Sequence, residues 1–227
     1  GKAKQVYKTD KEDEYLIHYK DDATAGNGVK HDKFEGKGVL NNTISCIIFD
    51  MLEEAGIKTH MIKKLNERDI LVKKVDIFPL EVIIRNITTG SFCRRLGAPE
   101  GIVLDEPIFE MSYKNDEYGD PLINDDHAVA LKLATREELA YIKETTLKIN
   151  ELLKEFFLSM NLKLVDFKIE FGKTADGTIL LADEISPDSC RLWDVNTNQK
   201  YDKDVFRQDI GDLIETYKAV LARMQNK

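Results

Sequence analysis

A chain of 227 residues can hold one large domain or two small ones around a sizeable core. With 42% hydrophobic and 33% charged residues it is globular and not disordered, and its net charge of −8 lacks the basic footprint that general nucleic-acid binding needs. No apolar run approaches the roughly 20 residues of a membrane span, so no membrane contact is expected.

In chain order, residues 4–8 and 15–20 read as a hairpin around a polar turn. Residues 21–38, rich in Gly, Asp and Lys, read as a mobile loop. Leu40, Ile44, Ile47, Ile48, Met51 and Leu52 give a helical stripe that Gly56 stops. Residues 69–75 are the next strand, and Phe78-Pro79 is the expected boundary between an amino-terminal lobe, 1–77, and a second lobe, 78–227. Residues 80–88 form a strand that closes in TTGSF. Thr135 caps a long helix with Glu138 three residues on, a capping box, and Leu139, Ile142, Ile149, Leu152, Leu153, Phe156 and Met160 are its buried face. A last helix is expected to use Phe206, Ile210, Leu213, Ile214, Tyr217, Val220, Leu221 and Met224. The whole reads as an α+β protein.

The amino end shows no signal peptide, and a start at Gly1 with no methionine points to a short segment missing before it. Cys46, Cys93 and Cys190 are scattered, form no CxxC, and fit a reducing cytosol. His18, His31, His60 and His127 show no zinc spacing. No internal repeat, P-loop or GxGxxG after a strand is present.

The richest segment is LVDFKIEFGKTADGTILLADEISPDSCRLW, residues 164–193. Val165, Phe167, Ile169 and Phe171 alternate with Asp166, Lys168 and Glu170, so one strand face carries carboxylate, ammonium and carboxylate, each roughly 6.5–7 Å from the next. A turn at Asp176-Gly177 leads through a second apolar run, 178–181, into Asp183 and Glu184, and Arg191 follows. A solvated sheet face would alternate too, but four acids and two bases at the end of one hairpin suit divalent metal and phosphate. Arg191 lies past a Pro-Asp turn and outside every apolar stripe, so it is expected to carry little of the fold's stability.

Other segments are ambiguous singly. In GKAKQVY, Lys2, Lys4 and Val6 share a strand face; the lysines fit adjacent phosphates with Val6 as a shelf for a base, or two solvated surface lysines. Residues 21–30 and 35–42 fit a substrate-closing loop running into a helix start, or an ordinary connection. RNITTGSFCRRLG, residues 85–97, pairs arginines with a Gly-Ser turn, which suits phosphate or carboxylate and equally a surface turn. YKNDEYGDPLINDD, residues 113–126, lacks calcium-loop spacing and is at best a polar edge of a site. Any ATP site here is built from strands and lysines, in the manner of ATP-grasp enzymes and kinases.

Together these segments resemble one family, the SAICAR synthetases (phosphoribosylaminoimidazole-succinocarboxamide synthases). The resemblance runs in order through GKAKQVY, DDATAGNG, KGVLNN, LVKKVD, RNITTGS, YKND, LVDFKIEFG, LADEISPDSCRLWD and DKDVFRQ, nearly the whole chain. It implies a two-lobed fold of antiparallel sheets and flanking helices with an ATP-grasp- or kinase-like nucleotide cleft. It also implies an ATP-dependent ligase that joins L-aspartate to carboxyaminoimidazole ribonucleotide, CAIR, giving SAICAR, ADP and phosphate through an acyl phosphate. By the same resemblance Lys2 and Lys4 contact ATP phosphates, Val6, Val72 and Lys73 line the adenine site, and Lys114 reaches the nucleotide. Glu170 and Asp183 hold Mg²⁺; Arg85, Ser91, Asp166, Lys168 and Arg191 contact CAIR, with Asp166, Lys168 and Arg191 nearest the chemistry and Arg207 at its phosphate. The aspartate subsite is placed in the 21–42 loops, and the enzyme is expected to be a cytoplasmic homodimer. Two rivals stand beside this reading: another ATP-dependent phosphotransferase, which would need no amine, and a non-catalytic nucleotide-binding module, which would need no paired metal carboxylates.

Overall fold

The computed structural model describes residues 2–226. β1 (Lys4–Lys8) and β2 (Glu14–Tyr19) form the expected hairpin, followed by β3 (Asp22–Ala25), β4 (Lys30–Lys33) and helix α1 (Lys37–Glu54). Next come β5 (Met61–Lys64), β6 (Asp69–Lys73), β7 (Asp76–Ile77), β8 (Leu80–Ile87), helix α2 (Gly90–Leu96) and β9 (Val103–Tyr113). β10 (Leu122–Ile123), α3 (Asp125–Ala130), the long α4 (Arg136–Leu158), β11 (Leu162–Lys173), β12 (Ile179–Ala182) and β13 (Cys190–Asp194) precede α5 (Asp204–Arg207) and α6 (Leu213–Gln225).

One sheet has the order β1-β2-β6-β5. Its pairs Val6–Ile17–Ile70 and Lys8–Tyr15–Val72 lie in register, so these side chains share a face. Ile17, Tyr19, Ile70 and Val72 are buried from that face, in one apolar cluster with Ile44, Ile48, Phe49 and Leu52 of α1. A larger sheet runs β10-β9-β8-β11-β12, with β13 and β7 also on β11. α4 buries Leu139, Ile142, Ile149, Leu153 and Phe156, and its capping box forms: Glu138 N–H donates to Thr135 Oγ1, and Thr135 N–H to Glu138 Oε1. β11 keeps its alternation, with Val165, Phe167, Ile169 and Phe171 buried.

Two expectations are corrected. The 21–38 segment is not an unstructured loop: β3 and β4 pair from Asp22–Lys33 to Ala25–Lys30, around a tip in which Gly26, Asn27 and Gly28 all have positive φ. Asp22 and His31 sit 2.8 Å apart, and Lys30 bonds Asp209 at 2.7 Å, which ties the hairpin to the carboxyl end. The carboxyl-terminal stripe is not one helix. Asp209 is left-handed at φ 53, the chain turns through Gly211, and Asp212 restarts the helix by accepting the Glu215 N–H. Phe206 belongs to α5, and Ile210, expected inside, is exposed in the break.

Candidate active site

β11 is the axis of the site, and its register explains the geometry. Asp166 pairs with Arg85 on β8 and with Arg191 on β13, so a carboxylate is flanked by two guanidinium groups on neighbouring strands. Arg85 Nη1 donates to Asp166 Oδ2 at 3.2 Å, and Arg191 Nη1 donates to the same oxygen at 3.1 Å. Arg85 Nη2 also donates to Ser91 Oγ at 2.9 Å and Glu110 Oε2 at 3.2 Å. Arg191 Nε donates to Asp204 Oδ2 at 2.8 Å. Burial alone would lower the Arg191 pKa, but Asp166 and Asp204 outweigh it and hold the guanidinium firmly protonated.

Arg85, Ser91, Asp166, Lys168, Arg191 and Arg207 all line one cleft of about 430 Å³. Gly26 and Asn27 at the hairpin tip line it as well, together with Glu81, Arg94 and Asp188. Lys168 faces Glu81 at 3.4 Å and is half exposed. Against the expectation that Arg191 carries little stability, the side chain bridges two buried carboxylates, Asp166 shared with Arg85 and Asp204 shared with Arg207, so removing it would take one charged partner from each.

Two strand positions beyond Lys168, Glu170 pairs opposite Ala182 and so lies beside Asp183. Burial, then the Asp183 charge, push the Glu170 carboxyl up to about 7, although Lys114 bonds it at 2.6 Å. Asp183 is held well below the usual carboxylate range: burial opposes ionisation, but Lys4 outweighs it. Lys4 bonds Asp183 and reaches Glu184 at 2.6 Å. Glu184 also accepts from Ser186 Oγ at 2.6 Å. His60 Nε2 donates to the Asp183 carbonyl at 3.1 Å, and Asp183 itself sits at φ 56, unusual for a non-glycine residue. Glu170 and Asp183 thus press two carboxylates together against two ammonium groups. That donor set fits a hard divalent cation, whose remaining ligands would be phosphate oxygens and water. Among the described residues no group of three or more His, Cys, Asp or Glu side chains converges as a closed cage.

The other nucleotide residues are less closely gathered. Val6 and Val72 share a sheet face, but Val6 is 58% exposed whereas Val72 is buried in the core. Lys73, next along the strand, projects from the opposite face and is exposed. Lys114 stands with the carboxylates, not with the valines. Lys2 approaches the hairpin tip: a Cβ built at Gly28 would lie 3.4 Å from Lys2 Nζ. In the 35–42 segment, Lys37 is buried against Asp188 at 2.6 Å, and Asn42 caps the carbonyls of Asn66 and Glu67. These two therefore brace the fold.

Residues not singled out from the sequence include Glu81, Glu110, Asp188, Lys203 and Asp204. Asp188 accepts from Tyr217 Oη at 2.6 Å as well as from Lys37. Burial pushes the Lys203 ammonium down to about 8 against the pull of Asp188. Asp204 had a local signal, an acid three residues before Arg207 at helical spacing, which it bonds at 2.8 Å.

The model of the SAICAR synthetase family matches residues 1–224. The phosphoribosylaminoimidazole-succinocarboxamide synthase of Finegoldia magna is 66% identical over 225 residues, covering 99% of this chain and 97% of that protein. A solved SAICAR synthetase in complex with ADP matches with a TM-score of 0.97 and 50% identity, covering 100% of this chain and 97% of that one. The phosphoribosylaminoimidazole-succinocarboxamide synthase structure from Ehrlichia chaffeensis matches with a TM-score of 0.97 and 45% identity, over 99% and 96% of the two chains.

Proposed function

The chain belongs to the SAICAR synthetase family, and from that premise we infer how its residues divide the work of an ATP-dependent ligase of purine biosynthesis. The reaction joins L-aspartate to CAIR. A carboxylate oxygen of CAIR attacks the γ-phosphorus of ATP and ADP leaves, which turns a poor acyl donor into an acyl phosphate. The aspartate amine then attacks the acyl carbon, phosphate departs with the bonding electrons, and the amine loses a proton. The first step asks mainly for positioning and charge neutralisation.

Arg85, Ser91, Arg191 and Arg207 hold the anionic groups of CAIR, with Asp166 fixing the two strand-borne arginines and Lys168 facing the bound molecule. Lys2, Lys4 and Lys114 meet the ATP phosphates, and Val6 with the backbone near Val72 and Lys73 receives the base. Glu170 and Asp183 would hold Mg²⁺, which would supply neutralisation of phosphate charge. ATP belongs mainly to the 1–77 lobe and CAIR to the 78–227 lobe, with L-aspartate entering beside the hairpin tip; the enzyme works as a cytoplasmic homodimer.

The observation that carries this reading is the shared face of β11. Asp166 in the arginine cleft and Glu170 beside Asp183 lie four residues apart on it, about 13 Å at strand rise, a span suited to a ribonucleotide stretched from its phosphate to its carboxylate. The test is turnover of the purified chain with CAIR, ATP, Mg²⁺ and L-aspartate, followed by mass spectrometry of the product. SAICAR formation that depends on both ATP and aspartate is expected; ADP release at full rate without aspartate would point to a phosphotransferase instead.

A further inference from the structure

Asp204 belongs to none of the ligand-contacting sets above, yet two cleft arginines converge on it. Arg191 Nε donates to its Oδ2 at 2.8 Å and Arg207 Nη1 to its Oδ1 at 2.8 Å. The side chain is only 2% exposed, so it stands behind the arginines and not against a ligand. Its backbone is pinned in turn. Asp204 N–H donates to Asp202 Oδ1 at 2.8 Å, and Leu192 N–H donates to Asp202 Oδ2 at 2.8 Å. Fully buried Asp202 thereby locks the start of α5 to β13, the strand that carries Arg191.

The far side of Arg191 is closed by bare backbone. A Cβ built at Gly90, which has φ +61, would lie 2.7 Å from Arg191 Nη2 and 2.9 Å from Cζ. The guanidinium therefore sits in a slot with Asp166 at Nη1, Asp204 at Nε and Gly90 against its plane. A guanidinium grips a planar or tetrahedral anion with two prongs only when its rotation is stopped. One carboxylate with two oxygens can stop two guanidinium groups and also offset their mutual repulsion.

We propose that Asp204 is the positioning residue of the anion grip in this cleft: it fixes Arg191 and Arg207 relative to each other and aims their remaining N–H groups at an anionic group of the ribonucleotide. This rests on the reading of the cleft as the CAIR site. Asn in this place offers one oxygen and turns an NH₂ toward the second arginine, so the pair loses its common anchor.

The test is steady-state kinetics of full-length Asp204→Asn with CAIR, ATP and L-aspartate varied in turn. The CAIR KM is expected to rise roughly tenfold or more, with kcat and the ATP KM within about twofold of the parent. Asp204→Glu, which keeps the charge, should recover part of the loss, and Asp204→Asn combined with Arg207→Gln should cost less than the sum of the two, since they share the Arg207 contact, yet more than Arg207→Gln alone, since Arg191 also loses its anchor. An unchanged CAIR KM in Asp204→Asn beside an impaired Arg191→Lys would overturn the proposal. So would equal losses toward CAIR and ATP, or failure of both Asp204 variants to fold, since these mark a structural role. A normal CAIR KM in Arg191→Lys would instead overturn the reading of the cleft itself.

Discussion

The two ends of the β11 polar face are built on opposite plans. At the Glu170 end, cations pair with the very acids a metal would need: Lys4 with Asp183 and Glu184, and Lys114 with Glu170. At the Asp166 end, acids stand behind the cations: Asp166, Glu110 and Asp204 take one edge of Arg85, Arg191 and Arg207 and leave other donors toward the cleft. The first end already holds its acids in pairs with ammonium groups, so a metal–nucleotide complex bound there would have to break those pairs and redistribute their charge. The second end is braced in advance, so an anion fills positions already made.

The sharpest way to break the comparison is Glu170→Gln. The amide keeps a partner for Lys114 and removes the repulsion against Asp183 that pushes the carboxyl up to about 7, so the variant should fold at least as well as the parent. Turnover should fall by roughly 100-fold or more, because a metal clamp is worth several kcal/mol and each ~1.4 kcal/mol is tenfold. Near-parental turnover at saturating Mg²⁺ would remove Glu170 from the metal site.

Arg191→Lys probes the braced end. Lysine keeps the charge but cannot serve Asp166 and Asp204 together while presenting two prongs. A charge-assisted hydrogen bond is worth about 1.5–3 kcal/mol, so the CAIR KM should rise on the order of tenfold while the ATP KM stays near normal. Unlike a surface arginine, it should also lower the unfolding midpoint, because Asp166 and Asp204 are both buried. A variant with parental stability and parental CAIR binding would show that the bracing carries nothing.

Lys4→Ala tests the paired end from its cation. ATP affinity measured by calorimetry should weaken by about 1.5–3 kcal/mol, the worth of a charged hydrogen bond, while CAIR affinity changes little. Folding stability should drop too, since Asp183 and Glu184 lose a shared partner. Unchanged ATP affinity would leave Lys4 as a purely structural counter-ion.

What could be read from the sequence was local. Asp166, Lys168 and Glu170 follow from the two-residue period of a strand, and Glu138 from a capping box with Thr135, because both patterns are short-range physics. The cleft set came as a group through its resemblance to a family, not through spacing. Glu110 was hidden because β9 is rich in charge, carries Pro107, and gives no clean alternation. Asp204 braces an arginine 13 positions away, and no periodicity reports that pairing. The carboxyl-terminal stripe misled for the opposite reason: its apolar spacing runs smoothly across Asp209 and Gly211, where the chain breaks the helix.

The last effect expected is one of pH, and it too separates the two ends. Burial pushes the His60 imidazole down to about 4, and its Nε2 supports the Asp183 carbonyl. A base with a depressed folded pKa binds fewer protons folded than unfolded. Its stabilising contribution is therefore complete above about 6.5, the unfolded value, and is lost as pH falls toward 4, a change on the order of 3 kcal/mol. The braced end behaves otherwise: Arg191 and Arg207 overcome burial to hold the Asp204 carboxyl below its ordinary value, so its pairs persist through that window. Urea unfolding of the parent and of His60→Gln between pH 8 and pH 4.5 measures the difference. The parent should lose stability more steeply than the variant below pH 6.5, and parallel curves would place the acid sensitivity elsewhere.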